Sequence, residues 1–462
     1  MPVKRDRRSF LEALAWSTAG AAFGTSCGGG GGTGSASPKS RPNVLMIPVD
    51  DLNDWVGFLQ GHPDVKTPNM DRLAAQSTVF RRAYCNAPVC NASRASAMSG
   101  LTPQQTGVFD NNTSIENSNP GAIYFPKHLA ANGYEQKLIG KIYHVPSSPV
   151  AQAVPAEPPA TNKTCGATIK DHPEAYFDWA PLDVEDSAIG DHQFVDDAID
   201  FLSRPHGKPF FLGVGLLRTH VAWYVPRPYF ELYDPATLHV PEAPPDDLDD
   251  LPASGRRIAL QFNFHECITS QGLWASAVHG YLASISFADA QIGRLLDALE
   301  RSDYAENTVV ILWGDHGFHL GEKFHWHKQA LWERSTRIPL TIRALGQTAG
   351  NVVEAPVSLL DLAPTIFDLT GIAPPYAQSG RSLRPLMSDP TQPWDYPVLT
   401  TKDEHDHAVR TADWRYIRYR DGGNELYDER TDPGEYTNRV ADPANADVVT
   451  ALDALMPPRP AT

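Results

Sequence analysis

Cysteine is scarce in this chain, five in 462 residues, and the spacing fits neither a zinc site nor a dense disulfide framework. A hydrophobic core must then carry the fold, and the length suffices for one large α/β domain plus a smaller one. Basic residues are also short: 39 Lys and Arg face 55 Asp and Glu, a formal charge of −16. That balance argues against nucleic acid or an anionic membrane surface as the main partner. An anionic substrate would need local cations or a metal to overcome the global field. No internal repeat is present. Proline and glycine, by contrast, are plentiful at 40 and 34, and imply many long, shaped loops.

Residues 1–27 read as an export signal rather than as part of the fold. The basic start is followed by an apolar run over 10–23, too short to span a bilayer. Arg7-Arg8-Ser9-Phe10-Leu11 resembles the twin-arginine export motif, whose pathway carries folded proteins. Cys27, ahead of five glycines at 28–32, is a candidate lipidation site, though "GTSC" matches a lipoprotein cleavage site only loosely. Residues 28–40 form a Gly/Ser-rich linker. The expectation is an exported bacterial protein, periplasmic or membrane-anchored as a lipoprotein. In that oxidising compartment Cys85, Cys90, Cys165 and Cys267 allow three pairings.

From residue 41 short apolar runs alternate with polar clusters. "NVLMIPV" ends in Asp50-Asp51, and "QKLIGKIYH" carries Lys141 and His144. "PFFLGVGLL" leads to Arg218 and His220, and "NTVVILW" leads to Asp315-His316. Each run predicts a buried strand. "YLASISFADAQIGRLLDALE" and "SLLDLAPTIFDLTGI" predict helices, the second started or kinked by Pro364. The expected fold is α/β, a large mainly parallel sheet sandwiched by helices over residues 41–375. Residues 376–462 form a smaller C-terminal subdomain, an antiparallel sheet turning at Asp421-Gly422-Gly423 with 424–427 as a strand. Ligands of parallel sheets gather beyond the carboxyl ends of the strands. Four separate strand ends here deliver carboxylates, histidines and a lysine, which points to one site.

Asp50, Asp51, Asp315 and His316 supply hard oxygen donors and one imidazole, a set suited to calcium or magnesium rather than zinc. Either acidic pair alone would as readily cap a turn or sit in a surface loop. In "CNASRASAMSG" the small residues over 92–99 suit a helix closed by Gly100. A helix beginning near Asn91 puts Cys90 at its positive end, with Arg94 able to fold back over it. Helix end, guanidinium and divalent metal together would trap sulfate or phosphate. Without that arginine, a buried apolar cysteine would be the default.

These residues carry a family resemblance. Cys90-Asn91-Ala92-Ser93-Arg94 resembles the sulfatase signature Cys-x-Pro-Ser-Arg, with Ala92 where the family usually has Pro. "NVLMIPVDDLNDW", "IGKIYHV", "WGDHGFHLGEKFHWHKQALWERSTRIPL" and "GNELYDERTDPGEYTN" resemble further family motifs in family order. "LRTHVAWYVPRPYFELYDP" looks like the iduronate-2-sulfatase branch. The resemblance implies an alkaline-phosphatase-like superfold and conversion of Cys90 to formylglycine by a maturation enzyme before folding. It implies calcium, ahead of magnesium, held by Asp50, Asp51, Asp315, His316 and residue 90. Arg94 would steady the formylglycine, and Lys141 and His144 would flank it, with His144 as a base. His220 and Lys328 would face the sulfate and protonate or stabilise the leaving alcohol. The substrate implied is a sulfated carbohydrate.

Other residues read less sharply. His319, His325 and His327 read as a solvated loop, and Lys323 as near the substrate without being catalytic. His407 and Arg410 are candidate sugar contacts, with structural pairing an equal reading. Trp223, with Tyr224, would stack on a sugar or pack in the core. Cys85 reads as a small packed residue. The Pro-rich segments 146–171 and 241–255 are candidate substrate loops. Two other functions stay open: a phosphodiester or phosphonate monoester hydrolase of the same superfold, and an inactive sulfated-glycan-binding protein in which Cys90 is never converted.

Overall fold

The computed structural model describes residues 41–144, 177–347 and 349–459. The export signal, the linker, Cys27, Cys165 and the candidate loop 146–171 lie outside the described residues.

Every residue of β1 (Asn43–Val49) is buried, and after Asn43 the strand is an apolar run, as a central strand must be. Its side chains still alternate between two cores. Leu45, Ile47 and Val49 pack with residues of helices α2 (Gly190–Leu202) and α3 (Trp274–Glu300). Val44 and Met46 face the other way, into a core shared with α1 (Cys90–Ser99) and α4 (Leu362–Thr370). Each of these buried aliphatic side chains stabilises the fold by about 1.5–3 kcal/mol.

The main sheet comprises β1, β2 (Thr78–Phe80), β3 (Glu135–Gly140), β4 (Phe210–Gly215), β5 (Thr308–Gly314), β6 (Leu340–Arg343) and β7 (Asn351–Val353). Their order across the sheet is β7-β2-β6-β5-β1-β4-β3. Neighbours β5, β1, β4 and β3 are all parallel, and only β6 runs against its neighbours. The four strands expected to carry the chemistry are these four adjacent ones, so their carboxyl ends lie along one edge. The helix predicted over the "YLASISF" stretch starts earlier, at Trp274. Its expected core residues Leu282, Ile285, Ala288, Ile292, Leu295, Leu296 and Leu299 are all buried. Pro364 lies in the first turn of α4, after the 3₁₀ turn Leu359–Asp361, where its missing N–H costs no bond.

The C-terminal sheet is an antiparallel meander, β8 (Val398–Thr401), β9 (His407–Arg410), β10 (Trp414–Arg418) and β11 (Asn424–Asp428). Buried charges join it to the main body. Arg415 pairs with Glu333 and, at 2.7 Å, with Glu435, whose other carboxylate oxygen accepts from the Glu333 amide at 2.7 Å.

Candidate active site

Helix α1 starts at Cys90, one residue earlier than its sequence suggests, because Val89 is extended and serves as the N-cap. It stops at Gly100, whose φ of 70° is a left-handed cap that glycine adopts without strain. The Cys90 thiol is 1% exposed. Lys328 Nζ lies 3.0 Å from its sulfur, His316 Nε2 3.3 Å and Asp51 Oδ1 3.8 Å. Burial pushes the thiol up, but Lys141, Lys328 and His316 outweigh it and bring the pKa down to about 6. Cys85, also free and buried, goes the other way: burial and the Asp315 charge push its thiol far up. Cys85 is therefore the packed residue its sequence suggested, with no disulfide to Cys90. Cys267 is disulfide-bonded.

Around Cys90 the strand ends bring three carboxylates together. The Asp51 amide donates to Asp315 Oδ1 at 3.0 Å. Lys141 Nζ binds Asp50 Oδ2 at 2.6 Å, and Lys328 Nζ binds Asp51 Oδ1 at 2.6 Å. Arg94 spans the group: Nε donates to Asp315 Oδ2 at 2.8 Å, Nη2 to Asp50 Oδ1 at 3.3 Å, and Nη1 to the Lys141 and Ile142 carbonyls. Its guanidinium is thus committed to carboxylates and carbonyls, orienting the acidic groups rather than contacting Cys90. The cations hold Asp50 well below the usual carboxylate range in spite of its burial. Asp51 has a φ of 57°, a strained left-handed value of the kind found where function imposes geometry. Its Oδ2 is buried without any hydrogen-bond partner.

That orphaned oxygen is the test of whether a cation fits. A buried carboxylate oxygen left unpaired is costly. Asp50, Asp51, Cys90 and His220 can bring one ligand atom each within 4.8 Å of one another, as can Cys90, Asp315 and His316. The three carboxylates Asp50, Asp51 and Asp315, beside the imidazoles of His220 and His316, offer hard oxygen donors that fit a divalent ion.

His220 completes the pocket. Its Nδ1–H donates to the Val221 carbonyl at 2.6 Å, which leaves Nε2 facing Asp51 Oδ2 at 4.0 Å. Burial lowers its pKa, and burial together with Lys141 takes His144 down to about 4, so His144 is neutral at pH 7. Three supporting residues escaped sequence reading. Ser93 Oγ donates to the Asp315 carbonyl at 2.5 Å, Thr219 Oγ1 to that of Asp50 at 2.9 Å, and Tyr281 Oη to that of Asp51 at 2.7 Å. Ser93 lies inside the Cys90 motif and was within reach of a closer reading; the other two carry no motif signal.

Several expectations are corrected. His319, His325 and His327 are buried, not solvated, because His319-Leu320 pairs with Trp326-His327 as a short ladder. His319 Nδ1 meets Ser335 Oγ at 2.8 Å, and His325 Nε2 meets the Lys328 carbonyl at 3.0 Å. Lys323 is buried on Asp247 at 2.6 Å, so it serves the core rather than the substrate. Trp223 is fully buried, its indole N–H on the Thr219 carbonyl, and Tyr224 is buried with its hydroxyl on Asp178. Neither offers an open face to a sugar. His407 is buried beside Thr401 Oγ1, and Arg410 is paired with Glu333 and Glu429, so structural pairing is what these two show. The candidate loop 241–255 is occupied by the C-terminal sheet: Leu248 and Leu251 pack with Ile417 and Tyr427.

Buried cations around a helix N-terminus make this a site for a tetrahedral oxyanion ester. The family model described as Sulfatase matches residues 42–372, and that for the C-terminal part of N-sulphoglucosamine sulphohydrolase matches 321–457. The chain belongs to the sulfatase family and is a sulfuric ester hydrolase. A sulfatase of Formosa agariphila is 34% identical over 443 residues, covering 91% of this chain and 87% of that protein. Iduronate 2-sulfatase of Homo sapiens is 30% identical over 351 residues, covering 69% of this chain and 62% of that protein. The phosphonate monoester hydrolase of Agrobacterium radiobacter superposes with a TM-score of 0.75 at 22% identity, over 90% of this chain and 94% of its own. At that identity the likeness is one of fold.

Proposed function

We propose that this sulfatase acts on sulfated carbohydrate, with formylglycine made from Cys90 by a maturation enzyme and a calcium ion held by Asp50, Asp51, Asp315 and His316. The observation that carries it is the setting of Cys90: first residue of a helix, within 3.3 Å of both Lys328 and His316, beside a carboxylate with one orphaned oxygen. The carbohydrate reading is supported by the similarity to iduronate 2-sulfatase.

When present, formylglycine supplies the oxygen nucleophile and calcium polarises the ester. This chain's own side chains do the rest. Lys328 Nζ and Lys141 Nζ hold negative charge on the sulfate oxygens. His220, anchored through Nδ1, turns Nε2 to the pocket, and in its protonated form donates from there to the departing alcohol oxygen. His144 is neutral and can accept a proton beside Lys141. Arg94 fixes the acidic groups.

The export route, twin-arginine with a lipid anchor at Cys27, belongs to the same proposal. A disulfide at Cys267 supports an oxidising compartment. The deciding experiment is turnover of 4-nitrophenyl sulfate against an aryl phosphonate monoester, followed by a panel of sulfated sugars. A preference for the phosphonate overturns the reading.

A further inference from the structure

Between the helices Ala253–Ala259 and Phe264–Ser270 a kinked 3₁₀ turn carries Gln261-Phe262-Asn263, and Phe264 follows. Phe262 and Asn263 both take left-handed backbone angles, φ 68° and 53°, which asparagine tolerates but a phenylalanine avoids. The double kink leaves the two phenyl rings in contact, tilted by 41° with centroids 5.6 Å apart. Phe264 is buried, stacked on Phe177 at 4.5 Å. Phe262 is 38% exposed.

The exposed ring is firmly mounted. His265 stacks on Phe324 at 4.6 Å and accepts a hydrogen bond from Trp326 Nε1 at 3.2 Å. Both contacts tie the segment to the ladder that ends in His327, and Lys328 comes next. Phe262 meets the His327 ring edge-on at 5.9 Å. Exposure is 1% at Cys90, 4% at Lys328 and His327, and 38% at Phe262. Phe262 thus stands partly in solvent on a histidine that lies within electrostatic reach of Lys328, Asp51 and His220.

We infer that Phe262 is a specificity-determining residue, the platform on which the ring of the leaving alcohol stacks while the sulfate occupies the centre at Cys90. The inference rests on the sulfatase reading and deepens it. It names the leaving group as a ring with an apolar face, sugar or aromatic, in preference to a flexible aliphatic alcohol.

The test is steady-state kinetics with 4-nitrophenyl sulfate, and inhibition by inorganic sulfate, for wild type, F262A and F262W, with thermal midpoints recorded. Phe262→Ala should raise KM about three- to tenfold, with kcat nearly unchanged and the inhibition constant of inorganic sulfate unmoved. Phe262→Trp should restore KM. An unchanged KM in F262A overturns the platform. So does a parallel rise in the sulfate inhibition constant, which reports distortion of the centre instead. Failure of wild type with a converted residue 90 to hydrolyse the aryl sulfate overturns the sulfatase reading and this inference together; normal wild-type turnover isolates the platform.

Discussion

Lys328 Nζ stands 3.0 Å from Cys90 Sγ, inside a pocket where both side chains are buried. The same ammonium binds Asp51 Oδ1 at 2.6 Å, so one cation links the head of α1 to the acidic cluster. Altering residue 90 therefore changes the chemistry at a fixed electrostatic address.

Mass spectrometry of the peptide holding residue 90 should show it about 18 Da lighter than cysteine, a change outside the ordinary thiol oxidation ladder. Cys90→Ser should lower kcat/KM by roughly 10³-fold or more while leaving the circular dichroism spectrum unchanged. An unmodified thiol in active enzyme would overturn the formylglycine proposal.

Chelation should lower the thermal midpoint of the wild type, and added calcium should restore it. Saturation at a hundred times Kd corresponds to about 2.7 kcal/mol. In Asp51→Asn the orphaned oxygen is gone, and both responses should vanish in calorimetric titration with calcium. A D51N enzyme that binds calcium as wild type does would remove Asp51 from the cation site.

Asp361, which is not among the residues of the cation site, gives a separate pH dependence. Burial raises its carboxyl to about 6 although the amides of Ser358, at 2.9 Å, and Arg381, at 2.8 Å, donate to it. With the folded pKa above the unfolded value of about 3.9, its stabilisation is full below pH 4 and lost as pH rises through 6. The stability of wild type minus that of Asp361→Asn should therefore fall by on the order of 2–3 kcal/mol between pH 4 and 7. Urea unfolding across that window checks the sign; a flat difference would refute it.

Gly215 ends β4 against the peptide of Lys141. A Cβ there would lie 2.1 Å from the Lys141 carbonyl oxygen, the same oxygen that accepts from Arg94. Gly215→Ala must displace that peptide and with it the Arg94 brace. A loss of at least roughly tenfold in kcat/KM should follow, with an unfolding midpoint lowered in urea. Wild-type kinetics in G215A would show that the close approach is dispensable.

The catalytic edge was legible because its strands are apolar runs ending in chemically distinctive residues, and parallel topology does the gathering. Cys90, Asp50 and Asp315 could be grouped without knowing any distance. Burial of the polar loop was not legible. His319 and His325 look solvated in one dimension, and only pairing with Trp326-His327 and Ser335 encloses them. Trp223 carried the opposite ambiguity, since an aromatic after His220 suits a sugar or a core equally until its neighbours are fixed. Tyr281 could not be found at all. It lies 230 residues from the Asp51 carbonyl it binds, and nothing in the pattern of α3 marks one buried tyrosine for that task.

The near-complete burial of Cys90 imposes an order on the protein's assembly. Once α1 has docked, no maturation enzyme can reach that side chain, so the proposed conversion must come while the segment is still unfolded. On the proposed twin-arginine route the chain leaves the cytoplasm already folded. Residue 90 is then finished in the cytoplasm, before export begins, and a copy that folds first is fixed as a thiol for its lifetime.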